Sequence, residues 1–163
     1  MLDADARRRI VSAAWRLQGV PYDRTHGDVS WTRLRRRPAS LDCSTFVVRV
    51  ACEALGYDVG DLAADAGWLL DRLAHVDGPT PSPGDVVGYC RKAATKAERL
   101  GGPLVWHVMI FVGRGAVVGA CDLEGCVVAR PIDYEPWRPR RWWRIEEPVV
   151  PPAPFRRLEL RTA

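Results

Sequence analysis

Apolar and polar positions alternate with two different periods along this chain, and the change of period divides it. Between Ala4 and Leu17 the apolar residues Ile10, Val11, Ala14, Trp15 and Leu17 recur at helical spacing, predicting an amphipathic first helix that ends at Gly19-Val20-Pro21-Tyr22. Residues 23–40 show few periodic apolar positions and read as a loop. A second helix is expected over Cys43 to Leu55, with Phe46, Val47, Val50, Ala51 and Ala54 as its buried stripe and Gly56 just past its end. A short helix over Leu62 to Ala74, with Leu69, Leu70 and Leu73 facing inward, is also expected.

The character then changes. Pro79, Pro81 and Pro83 lead through Gly84-Asp85 into the apolar run Val86 to Tyr89, a turn feeding a strand. Arg91 to Gly102 is charged and reads as a surface insertion. Trp106 to Val112 is a strand, Gly113-Arg114-Gly115 a hairpin turn, and Ala116 to Ala120 the returning strand. Glu124-Gly125 turns into a further strand over Cys126 to Arg130, and Trp137 to Ile145 suggests an edge strand. Helices first and an antiparallel meander afterwards is an α+β pattern. No repeat or linker splits the chain, so residues 1–147 are expected to form one domain and 148–163 a Pro-rich extension.

Composition narrows the class. The chain has 163 residues, of which 47% are hydrophobic and 27% charged, with a net charge of +4. The positive excess sits in Arg7-Arg8-Arg9, Arg35-Arg36-Arg37 and Arg138 to Arg144, read as solvated arginines; no nucleic-acid-binding motif accompanies them. The five cysteines match no common disulfide framework, which suits a reducing compartment. The acidic N-terminus does not resemble a secretory signal, and no stretch approaches the ~20 apolar residues of a membrane span. The expected setting is therefore cytoplasmic, with delivery outside by another system as an alternative. Trp15, Trp68 and Trp106 are expected in the core, and His26 and His75 on surface loops.

The chemistry concentrates around Leu41-Asp42-Cys43-Ser44-Thr45-Phe46. Asp42 is a good helix N-cap, which places Cys43 in the first turn. There the positive end of the macrodipole and unpaired N–H groups favour thiolate, the reactive form. Such a nucleophile needs a base, and His107, opening an apolar strand, is the candidate. A helix-borne cysteine and a distant strand-borne histidine form the layout of a papain-like thiol hydrolase. The backbone N–H of Cys43 can help hold an oxyanion. Cys52 is expected in the core and Cys90 at a strand end. Cys121 and Cys126 flank a turn without further ligands at metal spacing, so neither metal nor cofactor is expected.

Four motifs in order resemble the NlpC-type family of papain-like cysteine peptidases. Gly19-Val20-Pro21-Tyr22 resembles its small-Pro-Tyr element, and Leu41-Asp42-Cys43-Ser44-Thr45-Phe46-Val47 its Asp-Cys-Ser-Gly-Phe-Val signature. Pro83-Gly84-Asp85-Val86-Val87 resembles its Pro-Gly-Asp-Leu-Val segment, and His107-Val108-Met109-Ile110-Phe111-Val112-Gly113 its His-Val-Gly-Ile-Tyr-Val-Gly strand. The resemblance implies a papain-like fold, with helices packed on an antiparallel meander. It implies Cys43 as nucleophile, His107 as base, Tyr22 and Ser44 shaping the substrate and oxyanion pocket, and Asp42 capping the helix. It implies a muropeptide substrate, cleaved within the peptidoglycan stem peptide. An acyltransferase, a toxin, or an inactive module that binds a peptide or protein partner would keep the same fold.

Three positions depart from the family. Its third polar residue, twelve positions after the histidine, is replaced by Gly119; Asp122, then Cys121, are the candidates to orient His107 instead. Thr45 stands where the family favours Gly, which narrows the space beside the nucleophile. The segment Arg91 to Gly102 lengthens the approach to His107.

Overall fold

The computed structural model describes residues 2–24, 37–56, 70, 73–76, 78–91 and 105–146. Helix α1 (Ala4–Arg16) starts where the Asp3 side chain accepts the Ala6 N–H at 2.7 Å. It buries Ala6, Ile10, Ala13 and Ala14; Leu17 follows as its C-cap. Trp15 lies on the outer side and is 42% exposed, outside the core expected for it.

Helix α2 (Cys43–Leu55) is closed by a reciprocal capping box. The Asp42 carboxylate accepts the Thr45 N–H at 2.7 Å, and the Thr45 hydroxyl accepts the Asp42 N–H at 2.9 Å. Gly56 ends the helix at a φ of 71°, a left-handed conformation that glycine adopts without penalty. Burial extends well past the expected stripe, from Ser44 through Cys52, so α2 is the central helix of the domain.

Six strands follow: β1 (Ala74–Val76), β2 (Val86–Cys90), β3 (Val105–Gly113), β4 (Ala116–Cys121), β5 (Cys126–Pro131) and β6 (Arg140–Arg144). All neighbouring pairs are antiparallel, in the order β1-β6-β2-β3-β4-β5. The meander β2 to β5 is as expected. β6 departs from expectation, because it lies between β1 and β2 rather than at the edge. Ala74, expected at the end of a helix, opens β1, and His75 is on that strand against the Trp143 ring. Most of the expected helix, Leu69 with it, lies outside the described residues; Leu70 and Leu73 are buried as expected. Residues 25–36, 92–104 and 147–163 also lie outside, and with them most of the long loop, the expected insertion after Arg91, the Pro-rich extension and His26; Trp68 lies outside with the expected helix.

The sheet is covered on both faces, which is why its strands read as continuous apolar runs. Toward the helices, Val86, Val108, Ile110, Val118, Ala120, Val127 and Trp143 join the main core with α1 and α2. On the far face, Val87, Tyr89, Met109, Phe111 and Val117 pack beneath Ile132, Tyr134 and Trp142.

One buried carboxylate ties helix to sheet. Asp85 has no exposed side-chain surface and accepts from both Arg7 terminal nitrogens at 3.2 Å, from Arg144 at 3.1 and 3.3 Å, and from the Ser82 N–H at 2.8 Å. Several arginines expected to be merely solvated are therefore structural. Arg7 and Arg144 clamp Asp85, Arg9 donates to the Ala54 carbonyl, and Arg37 donates to the Arg16 and Gln18 carbonyls.

Candidate active site

Three chain segments meet at the start of α2. The backbone of residues 19–22 runs beside β5, with the Gly19 and Tyr22 N–H groups donating to the Val127 and Gly125 carbonyls at 2.8 Å each. On its other side the Leu41 N–H donates to the Pro21 carbonyl at 2.9 Å, and the Asp23 N–H to Leu41 at 3.1 Å. The segment therefore fastens the approach to Cys43 to the β4–β5 turn. Tyr22, Cys43 and Asp122 converge for that reason.

Cys43 is half-buried and packs against the helix-side core. Its Sγ lies 3.9 Å from the Ser44 hydroxyl and takes the backbone N–H groups of Ser44 and Val108. Burial, and then the charge of Asp42, push the thiol above its ordinary pKa, while the N–H groups pull it down less. Burial and the Asp42 charge thus oppose the thiolate that the helix terminus favours. Desolvation outweighs the helix terminus, and the capping carboxylate partly cancels the positive end of the dipole.

Thr45 belongs to the cap of α2. Its hydroxyl is committed to Asp42, 2.8 Å from the carboxylate, and the side chain is buried within the cap. The departure from glycine is accounted for by the capping box.

His107 sits on β3 opposite Tyr89, the ring centroids 6.2 Å apart, and is 9% exposed. Its Nε2 is buried without a hydrogen-bond partner. Burial pushes the imidazole down to about pKa 4, with Asp122 pulling it up and Arg138 pushing it down further. Cys43 takes the N–H of Val108, the residue that follows His107 on β3, and no hydrogen bond joins thiol and imidazole. The resting site holds a neutral thiol and a neutral imidazole.

Gly119 and Met109 explain each other. Continuing the β3–β4 register places them opposite one another. A Cβ on Gly119 would fall 2.7 Å from Met109 Cγ and 3.0 Å from its Cε. The thioether thus occupies the space of the family's third polar side chain, on a strand position where the family carries glycine. Cys121 is buried and cross-strand from Cys126, both thiols free, and makes no hydrogen bond to His107. Asp122 begins the β4–β5 turn, which carries it off the strand's alternation, so that its charge reaches both His107 and Tyr22. It does not hydrogen-bond to the imidazole. Its side chain is ion-paired with Arg24, which also hydrogen-bonds to Tyr22. Burial, followed by the Cys43 and Asp122 charges, raises the Tyr22 phenol, with Arg24 opposing, so the hydroxyl remains a donor.

Two further residues belong to this site. Tyr89 pairs with His107 and Cys90 with Val105, leaving Trp106 as the extra residue of a β-bulge. Val105 stays against the helix-side core, whereas Trp106 turns out, 53% exposed, with the Arg138 guanidinium 5.5 Å from its ring centroid. Trp106 was expected in the core. The same Arg138 bears on His107 and is held by Glu135 at 3.0 Å. Arg24 stands at the edge of a loop without periodicity, so no pattern in the chain singles it out. Among the described residues no three His, Cys, Asp or Glu side chains group to hold a metal, and no helix is long and apolar enough to cross a membrane.

No protein-family model and no curated protein matches the sequence. Solved structures do match the fold. The chain is similar to the peptidoglycan hydrolase RipB of Mycobacterium tuberculosis, with a TM-score of 0.60 at 20% identity over 90% of this chain and 69% of that one. RipD of the same organism, described as a non-catalytic NlpC/p60 domain protein adapted to peptidoglycan binding, gives 0.60 at 15% identity over 88% and 99%. NlpC2 from Trichomonas vaginalis gives 0.59 at 19% identity, covering 88% of this chain and 48% of that one, so the chain spans about half its length. The chain therefore has the α+β, papain-like NlpC/p60 fold, which peptidoglycan hydrolases share with a non-catalytic peptidoglycan binder.

Proposed function

We propose that this NlpC/p60-fold chain is a cysteine amidohydrolase or endopeptidase acting on peptidoglycan stem peptides or their fragments. The observation that supports the proposal is that Cys43 takes the N–H of Val108, the residue after His107, while the Cys43 charge bears on Tyr22 and the Asp122 charge bears on both Tyr22 and His107. In the reaction Cys43 Sγ attacks the scissile carbonyl carbon as its proton passes to His107. The oxyanion is received by the first-turn N–H of α2 and the Tyr22 hydroxyl. His107 then protonates the leaving amine, giving an acyl-enzyme that water hydrolyses back to free Cys43. Because thiol and imidazole are both neutral at rest, His107 acts as general base during attack rather than as half of a preformed ion pair. The two must close to hydrogen-bond distance in the complex, and catalytic hydrogen bonds that tighten only on binding are common.

A second reading, a peptide-binding module without catalysis, is favoured by one observation: Cys43 and His107 share no hydrogen bond and their pKa values are shifted away from the ion pair. One experiment separates the two. The parent and Cys43→Ala are incubated with a synthetic stem tripeptide of L-alanine, γ-linked D-glutamate and meso-diaminopimelate, with cleavage followed by mass spectrometry and binding by calorimetry. Cleavage by the parent alone supports the hydrolase. Equal binding by both proteins without cleavage supports the module.

A further inference from the structure

The proposed base stands with a buried nitrogen lacking a partner, and a carboxylate is held nearby by another group. His107 Nε2 is a buried nitrogen without a partner, and a carboxylate whose charge already reaches it, Asp122, is paired elsewhere. The competitor is Arg24, 68% exposed, whose guanidinium joins the Asp122 carboxylate to the Tyr22 hydroxyl. We infer that Arg24 is a positioning residue that acts as a latch: it holds Asp122 away from His107 in the resting protein, and its release lets Asp122 accept from the imidazole Nε2–H and complete the catalytic group. This rests on the Cys43–His107 chemistry proposed above.

Among the described residues, Asp122 is the carboxylate whose charge bears on His107. Tyr89 from β2 offers a phenol already donating to the Ile132 carbonyl at 3.0 Å. From β4, continued register brings Cys121, a neutral thiol raised by burial. From the segment before β6 comes Arg138, a cation paired with Glu135. From α2 comes Cys43, engaged with the Ser44 and Val108 N–H groups. Gly119, where an orienting side chain would otherwise stand, is filled by Met109. Asp122 heads a turn anchored by the Gly125 N–H to its own carbonyl, 3.3 Å, and the carboxylate is partly exposed; the latch requires this side chain to exchange Arg24 for His107. Arg24 touches both Tyr22, beside the thiol, and Asp122, so any ligand group that draws Arg24 away acts on both.

The test is the titration of the His107 ring by NMR between pH 3 and 8, assigned by its loss in His107→Gln, in the parent, Arg24→Gln, Arg24→Lys, Asp122→Asn and Arg24→Gln/Asp122→Asn. A carboxylate moved into contact with an imidazole raises its midpoint by about one pH unit or more. Arg24→Gln should therefore raise the His107 midpoint by at least that much. Arg24→Lys, which keeps the ion pair, should stay near the parent, and the rise should vanish when Asp122→Asn is combined with Arg24→Gln. No rise in Arg24→Gln overturns the latch. An equal rise with and without Asp122 also overturns it, since that is the through-space loss of one positive charge. Cys43 alkylation by iodoacetamide is measured in the same samples. If His107 responds as expected but Cys43 is no more reactive than the other thiols in any variant, the hydrolase reading fails and the latch stands. If Cys43 is selectively reactive and His107 does not respond, the latch alone fails.

Discussion

Replacing His107 by Gln should flatten the acid side of the stability profile, and the size of the effect follows from the burial of the ring. His107 is pushed down to about pKa 4 from an ordinary 6.5. Between those values the unfolded chain binds a proton that the folded chain refuses. Stability is therefore intact above about pH 6.5, falls as the pH drops, and reaches its full deficit below about pH 4. A difference of about 2.5 pH units corresponds to about 3 kcal/mol in total, of which about 2 kcal/mol is lost between pH 7 and pH 5. The assay is urea unfolding of the parent and His107→Gln at both pH values. Other titrating groups are common to the two proteins, so the parent should lose about 2 kcal/mol more than the variant on going to pH 5. Equal losses in both proteins would refute the reasoning, because His107 would then titrate normally in the fold. A parent that gains stability relative to the variant toward pH 5 would show the opposite state, an imidazolium held by a Cys43 thiolate.

Two predictions concern the frame around the site. Gly119→Ala forces a methyl to 2.7 Å from Met109 Cγ and should cost about 1–3 kcal/mol by overpacking. Met109→Ala alone should cost about 2–5 kcal/mol, and the double variant should recover about 1 kcal/mol or more of the sum in thermal or urea unfolding, whereas strict additivity would show that the two side positions do not share space. Asp85→Ala strands the Arg7 and Arg144 guanidiniums beside a core and should lower unfolding free energy by about 3–5 kcal/mol; a loss under about 1 kcal/mol would show that both arginines find water without penalty.

Elements set by neighbours in sequence were legible in the chain, and those set by distant pairing were not. Asp42, Cys43 and Gly56 mark α2 at both ends because capping is a contact over three or four residues, and the Gly113 and Gly125 turns mark the hairpins for the same reason. The place of β6 is different. Its run of arginine and tryptophan reads as an edge, yet Gly88, free of a Cβ that would fall 2.5 Å from Trp143, lets Trp143 lie across β2 and puts β6 inside the sheet. Trp106, expected in the core, turns outward because the register shift between Tyr89 and Cys90 breaks the alternation of β3 there, and a bulge becomes visible only when both strands are paired.

The same division explains what the motifs say about the site. Cys43, His107 and Tyr22 can be located from short runs of residues, and the structure brings the runs together. Their protonation is decided by groups outside those runs. Burial and Asp42 act on Cys43; burial, Asp122 and Arg138 act on His107; Arg24 is ion-paired with Asp122. A helix terminus argues for a thiolate with at most about 2 kcal/mol behind it, roughly one and a half pH units, and desolvation of a buried group readily exceeds that. The motif therefore specifies which atoms can react, while the depth of the site specifies that they wait uncharged. A protein built this way spends little of its reactivity on stray electrophiles at rest. On the proposed hydrolase reading, its chemistry then depends on a ligand that both closes Cys43 on His107 and frees Asp122, and the proposed latch puts the control of the site on the β4–β5 turn rather than on the nucleophile.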